Sequence, residues 1–326
     1  MLEAISEKEN LLRAIYRANP HHVPVRRMNG TIPGMIKVYY QGSRMTQAGM
    51  DSWGVRWEGG TPAGKEWEPL VQPYAVGHPL TDLSKVEEYP FPSPDDPGHM
   101  AGLLSGIDRD QVILAGELPL LLFERAHALS GMEDLMVAMA EKPEAVQTLL
   151  RRIADFDIRI VERYVELGVE AVRCQDDYGG QASLLMSLRM WRHLVKPELA
   201  RIYKVAKDAG LILFHHSCGN VMEIVPDLIE MGVDVLDSVQ PKTNDRAKLK
   251  ELYGDRLSFM GGMDTHYVLS QGTAEEIEEE VKCCCRYLGD GGGYILGPDN
   301  LIPIPERCYR AYLAAGERHG RYPLQL

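Results

Sequence analysis

His216, Ser217, Cys218 and Gly219 form an H-x-C-G run directly after the apolar stretch Leu211 to Phe214. Imidazole nitrogen and thiolate sulfur are preferred zinc ligands, and a spacing of two in an extended chain puts both side chains on one face. Two ligands do not hold zinc, so a third must come from elsewhere in the chain. Asp299 or, less readily, Asn300 stands just beyond the YILGP run and offers it. Zinc bound with an open position would lower the pKa of a thiol and present it as the thiolate nucleophile. Other polar residues occupy comparable places: Glu117 after VILAG, Asp176 and Asp177 after AVRCQ, Gln240 after VLDSV, and Asp264 after FMGGM. Neighbouring carboxylates raise each other's pKa in a closed site, which makes Asp176 and Asp177 candidates for proton handling alongside Glu117. Adjacent strand residues face opposite ways, so only one of the two enters a common site. Tyr178, Gln240 and Asp264 are candidates for substrate contact, whereas Glu124 beside Arg125 reads as a structural ion pair.

These residues share a setting, because each follows a short apolar run. Candidate strands are Val112–Gly116, Glu170–Cys174, Leu211–His215, Val233–Ser238, Leu257–Gly261 and Gly293–Leu296, with amphipathic stretches of helix length between most of them. The stretch after Pro143 carries Val146, Leu149, Leu150, Ile153, Ile160, Tyr164 and Leu167 at helical spacing, with Gly168 as the stop. Thr273 with Glu276 predicts a capping box. A helix over 3–18 opens the chain, and a short strand around Val23 to Met28 follows it. One further element hidden between Gly30 and Gly106 brings the strand count to eight. The expected fold is an α/β (β/α)8 TIM barrel, a single domain over 1–326, with chemistry at the carboxyl ends of its strands. The 30–106 segment is dense in Gly and Pro and reads as an irregular excursion from the barrel. Three of the four tryptophans, Trp53, Trp57 and Trp67, lie in it. They mark it as packed on or over the barrel, because disordered segments are poor in aromatics.

Composition narrows the function. The 326 residues carry 35 Lys+Arg against 47 Asp+Glu, a formal charge of −12, which disfavours a nucleic-acid partner. The charged N-terminal stretch lacks a signal peptide's apolar core, and no run reaches the roughly 18–20 apolar residues that span a bilayer, so a cytoplasmic protein without membrane attachment is expected. Six cysteines in a chain of this length predict reduced thiols. Consecutive helical residues diverge by about 100°, so Cys283, Cys284 and Cys285 read as small helix fillers and not as a metal site.

The run DDYGGQASLLMS, then HHSCGNVMEIVPDLIEMGVDVLDSVQ, then YGDRLSFMGGMD and GGGYILGP, resembles the uroporphyrinogen decarboxylase superfamily over about residues 110–316. Within it the chain looks closer to the corrinoid-dependent (methylcobamide) methyltransferases than to the haem-pathway decarboxylase. That resemblance implies a (β/α)8 barrel and methyl transfer to or from cobalamin carried on a separate corrinoid protein. His216 and Cys218 would bind zinc, with Asp299 as the expected third ligand. A small-molecule methyl donor or acceptor is the other partner, a methoxy-aromatic slightly ahead of a thiol or folate, and the chain is open to forming a homodimer. Two departures from the family pattern matter. The decarboxylase's R-Q-A-G-R motif is replaced by PVRRMNGTIPG, in which Arg26 and Arg27 remain, so tetrapyrrole decarboxylation is disfavoured. Related methyltransferases also place a Cys where this chain has Asn300 preceded by Asp299. The alternative function is a metal-free lyase acting on an acidic substrate, with Asp176 or Asp177 stabilising developing positive charge.

Overall fold

A computed structural model describes residues 5–43 and 48–325. The first helix, α1 (Glu7–Tyr16), starts where the Ser6 side chain accepts from the Glu9 amide and ends at Arg17, whose φ of 58° leaves the helical region. The expected start at Glu3 lies outside the described residues. The predicted strand around Val23 to Met28 does not form as a strand. Pro24 has no amide hydrogen to donate, and Arg27 to Thr31 turn back on themselves. What survives is an isolated parallel bridge from Val25 to Leu296.

The hidden strand is β1 (Met35–Tyr39). Next come three short strands of the excursion, β2 (Gly49–Met50), β3 (Arg56–Glu58) and β4 (Tyr74–Gly77), which form a small antiparallel sheet. The main strands follow: β5 (Ile113–Leu118), β6 (Ala171–Gln175), β7 (Ile212–His216), β8 (Val235–Ser238), β9 (Ser258–Met263) and β10 (Tyr294–Pro298). They pair in parallel with β1 in the order β1-β5-β6-β7-β8-β9-β10. Five of the six predicted strands run one or two residues past their expected ends. Backbone pairing continues after the apolar run stops, which carries Glu117, Gln175 and His216 into the sheet.

Helices connect the strands. α2 (Leu122–Ser130), α3 (Met132–Glu141) and the long α4 (Pro143–Glu166) separate β5 from β6; α5 (Leu188–Met190) and α6 (Lys196–Asp208) precede β7; α7 (Val225–Glu230) precedes β8. α8 (Arg246–Tyr253), α9 (Ala274–Cys284) and α10 (Glu306–His319) complete the set. The capping box at α9 is present, with Thr273 and Glu276 bonding reciprocally at 3.2 and 2.8 Å. Cys284 and Cys285 are buried packing residues.

Strand alternation divides the core in two. Leu114, Val172, Leu213, Leu236 and Phe259 face the helices, whereas Ile113, Ala171, Ile212, Phe214, Val235, Met260 and Ile295 form a separate interior cluster with Leu11 and Ile15 of α1. The sheet is curled around this interior. Arg26 beside β10 acts on Lys37 of β1, and both interact with Asp237, although β1 and β10 are opposite ends of the strand order. Above the apolar cluster the inward row turns polar, through Glu117, Arg173, His216 and Asp237.

In the excursion Trp53 and Trp57 are buried and Trp67 is half-buried. Trp53 is buried against Phe156 of α4 at 4.7 Å, with the Arg125 guanidinium 4.7 Å from its ring. Asp51 accepts from both Trp57 Nε1 and Arg125 Nη1. Arg125 therefore pairs with Asp51 and not with Glu124, contrary to the sequence expectation. Among the described residues no helix is long and apolar enough to cross a membrane.

Candidate metal centre

The inward row of β7 ends at His216, whose Nδ1 lies 3.0 Å from Asp237 Oδ2 on the neighbouring β8. A carboxylate acceptor there fixes a proton on Nδ1 and aims Nε2 into the mouth, where it can ligate once its own proton is displaced. Nε2 is 3.5 Å from Cys218 Sγ and 3.7 Å from Asp177 Oδ1. One ligand atom from each of these three residues lies within 4.8 Å of the others. Tetrahedral ligands at roughly 2.0–2.3 Å from zinc stand roughly 3.3–3.8 Å apart, so the donor set fits the ion in type and in the two distances to His216 Nε2.

Two loops bring these atoms together. The chain after β6 and the chain after β7 meet glycine to glycine: Gly219 has φ +77°, and a Cβ on it would stand 2.1 Å from Gly179 O. That close approach lets Gly179 N donate to Cys218 O, Asn220 N to Gly180 O, and Cys218 N to Asp177 Oδ1 at 2.7 Å. Gln240 accepts from the Gly219 amide at 2.5 Å. Its side chain buttresses the loop.

Asp237 is the electrostatic hub. Fully buried, it accepts from Arg26 Nη1 at 3.0 Å, Arg173 Nη2 at 2.9 Å and His216. Arg173 also bonds Glu117, whose second oxygen accepts from Gln175 at 2.7 Å. Burial opposes the charged form of Asp237, but Arg26, His216 and Arg173 hold its carboxyl far below the usual range. Burial likewise opposes protonation of His216, and Asp237 and Cys218 outweigh it, holding the imidazole well above its ordinary value. Burial pushes the Cys218 thiol up, against the pull of His216.

The two adjacent acids separate as strand alternation requires. Asp177 faces the mouth, while Asp176 is fully buried and accepts from the amides of Leu122, Phe123 and Glu124 and from the Tyr178 hydroxyl. It caps α2 from outside the helix and satisfies donors that Leu121 has no side chain to bond. Burial raises its pKa to about 6 against these donors. Tyr178 is buried beneath it, stacked on His215 at 5.8 Å. Asp264 caps the turn at Tyr267 and pairs with Lys242. Asp299 lines the same cavity as the three-residue group but stands outside it, its Oδ1 accepting from Thr265 N at 3.0 Å. Among the described residues the acid grouped with His216 and Cys218 is thus Asp177.

The cavity above the centre holds about 360 Å³. Leu70 and Val71 of the excursion form part of its wall, together with Pro119, Leu301, Ile302 and the carboxyl of Glu124. Burial, Asp177 and Asp176 together raise Glu124 well above the ordinary carboxyl range. Sequence reasoning passed over Asp237 and Arg173, although a charged residue in the middle of an apolar strand was the available signal. Their partners lie on neighbouring strands, and only the register reveals them.

Residues 72–304 match the model of the family described as uroporphyrinogen decarboxylase (URO-D), well over half of the chain, and the protein belongs to that family. Methylcobamide:CoM methyltransferase MtaA of Methanosarcina barkeri is 25% identical over 196 residues, 60% of this chain and 55% of that protein. The match thus spans about half of that relative's length. A methylated-thiol–coenzyme M methyltransferase of Methanosarcina mazei is 22% identical over 77% of this chain and 66% of its own. A uroporphyrinogen decarboxylase of Pseudoalteromonas atlantica is 22% identical over 74% and 70%. The solved structure of a methyltransferase from Methanosarcina mazei aligns with a TM-score of 0.70 at 21% identity, covering 97% of this chain and 99% of that one, a likeness of fold.

Proposed function

We propose that this protein is a corrinoid-dependent methyltransferase that moves a methyl group between a small substrate and cobalamin carried by a corrinoid protein. His216, Cys218 and Asp177 would hold zinc at the centre, and the observation that carries this reading is the convergence of their donor atoms beside an open cavity. The named methyltransferase relatives point the same way. In this reading the segment bridged at Val25 closes the curled sheet as the eighth stave of a (β/α)8 barrel, with the centre at its carboxyl end.

Zinc in that position would act as a Lewis acid on a substrate oxygen or stabilise a sulfur as thiolate. The chain's own residues do the rest. Asp237 keeps the proton on His216 Nδ1, and Arg26 and Arg173 hold Asp237 ionised for that purpose. The apolar wall formed by Leu70, Val71, Leu301 and Ile302 limits water at the reacting atoms. No Phe, Tyr or Trp lines this cavity among the described residues, and Trp53 and Trp57 are committed to holding the excursion. A flat methoxy-aromatic thus gains no stacking partner, and a short aliphatic substrate fits better. The volume is near the lower end of the roughly 300–1,000 Å³ typical of ligand sites, which favours such a substrate over a tetrapyrrole.

Elemental analysis of protein purified without chelators tests the reading. Near-stoichiometric zinc is expected in the wild type, lost in Cys218→Ala together with any change in the visible spectrum of added cob(I)alamin or methylcob(III)alamin. Undetectable metal with retained turnover would sink the zinc centre and favour the metal-free lyase.

A further inference from the structure

A second cavity of about 360 Å³ lies on the β1 side of the first, and Leu70 and Leu301 line both. Among the described residues, Lys37 is the one charged side chain on its wall. It belongs to the inward row of β1, opposite Ala115 of β5 and two residues above Met35 of the apolar interior. Its ammonium lies against the turn formed by Arg27 to Thr31. A Cβ at Gly30 would stand 3.0 Å from Lys37 Nζ and 3.2 Å from Leu301 Cδ1, and Gly30 has φ +83°, so the turn is shaped to leave that space to the lysine.

The charge around Lys37 does not balance. The groups that act on it are Arg173, Glu117, Arg26 and Asp237. Both carboxylates are already engaged: Glu117 by Arg173 and Gln175, and Asp237 by Arg26, Arg173 and His216. Three cationic side chains therefore face two carboxylates, and among the described residues no carboxylate is within ion-pair distance of Lys37. Burial and the nearby Arg173 push its pKa well below the ordinary lysine value, the state of an amine that lacks a counterion.

We propose that Lys37 is an anion-binding residue and that the second cavity takes the carboxylate of a short aliphatic substrate whose reacting heteroatom lies at His216, Cys218 and Asp177. The assignment of the reacting end rests on the function proposed above; the anion subsite does not. Leu70 and Leu301 border both cavities, so the two are neighbours. A half-buried ammonium with no carboxylate partner among the described residues gains a charge-assisted hydrogen bond when the anion enters, whereas a neutral isostere supplies none.

The test uses propionate and its neutral isostere propionamide as probes of thermal unfolding, in chloride-free buffer at equal ionic strength. Propionate is expected to raise the melting temperature of the wild-type protein, with or without zinc, more than propionamide does. In Lys37→Met the two should act alike. In calorimetry on zinc-loaded protein, 3-mercaptopropionate should bind about tenfold tighter than ethanethiol, as one charge-assisted contact supplies, and Lys37→Met should erase the difference. Equal effects of propionate and propionamide on the wild type overturn the proposal, even where the variant does not fold. So does a preference that survives Lys37→Met. Loss of zinc-dependent thiol binding with intact propionate discrimination would overturn the metal reading instead.

Discussion

At the scale of single residues, the group that organises the centre is a carboxylate outside the ligand set. Asp237 takes three hydrogen bonds, and they serve different ends. The bond from His216 selects the imidazole tautomer, while those from Arg26 and Arg173 keep the carboxylate charged. Asp237→Asn is expected to lower zinc affinity by about 10–100-fold, the usual effect of removing a partner behind a ligand histidine. It also leaves two buried guanidiniums with less counter-charge, which costs about 3–5 kcal/mol. Competition with a chelator and a denaturant melt of the metal-free protein measure the two effects separately, and unchanged zinc affinity would remove Asp237 from its role. The histidine and cysteine of the pair are legible in the H-x-C-G spacing, because both lie on one local stretch of chain. That Asp177 lies beside them is not legible, since it depends on the chain after β6 meeting the chain after β7.

At the scale of elements, the centre depends on two loops that touch through backbone. Gly219 has no room for a side chain, because its Cβ would overlap the carbonyl of Gly179. Gly210 makes an internal control: it has a similar φ of +75°, and nothing lies within 4 Å of its Cβ position. Gly210→Ala should cost only the left-handed strain, about 1–2 kcal/mol, and leave zinc content unchanged. Gly219→Ala should cost more and reduce zinc stoichiometry, because separating the loops moves Cys218 from Asp177 and His216; equal zinc contents in the two variants would refute that account. The six later strands and α4 were readable from apolar periodicity to within a residue or two, as β5, β6 and β7 illustrate. The early strand failed because pairing partners, and not local propensity, decide whether a proline-containing stretch joins a sheet.

At the scale of the whole molecule, the excursion between β1 and β5 is joined to the body by a buried cluster and supplies one wall of the cavity. Trp53 lies between Phe156 and Arg125, and Asp51 ties Arg125 to Trp57. Trp53→Ala should destabilise the protein by about 3–5 kcal/mol and expose 30–106 to limited proteolysis, while zinc content in the folded protein stays unchanged. Cleavage elsewhere, or loss of metal with the fold intact, would count against this division of labour. By itself the sequence determined the alternation of strands and helices, the acidic charge and the closeness of His216 and Cys218, because all of these depend on composition or on residues a few positions apart. Only the tertiary structure decided that Asp176 caps a helix while its neighbour Asp177 lies beside His216 and Cys218, that Asp237 stands behind His216, and that among the described residues no carboxylate is within ion-pair distance of Lys37. Those outcomes depend on which strands lie side by side and in what register, and a curled sheet brings together residues that the chain keeps more than a hundred positions apart.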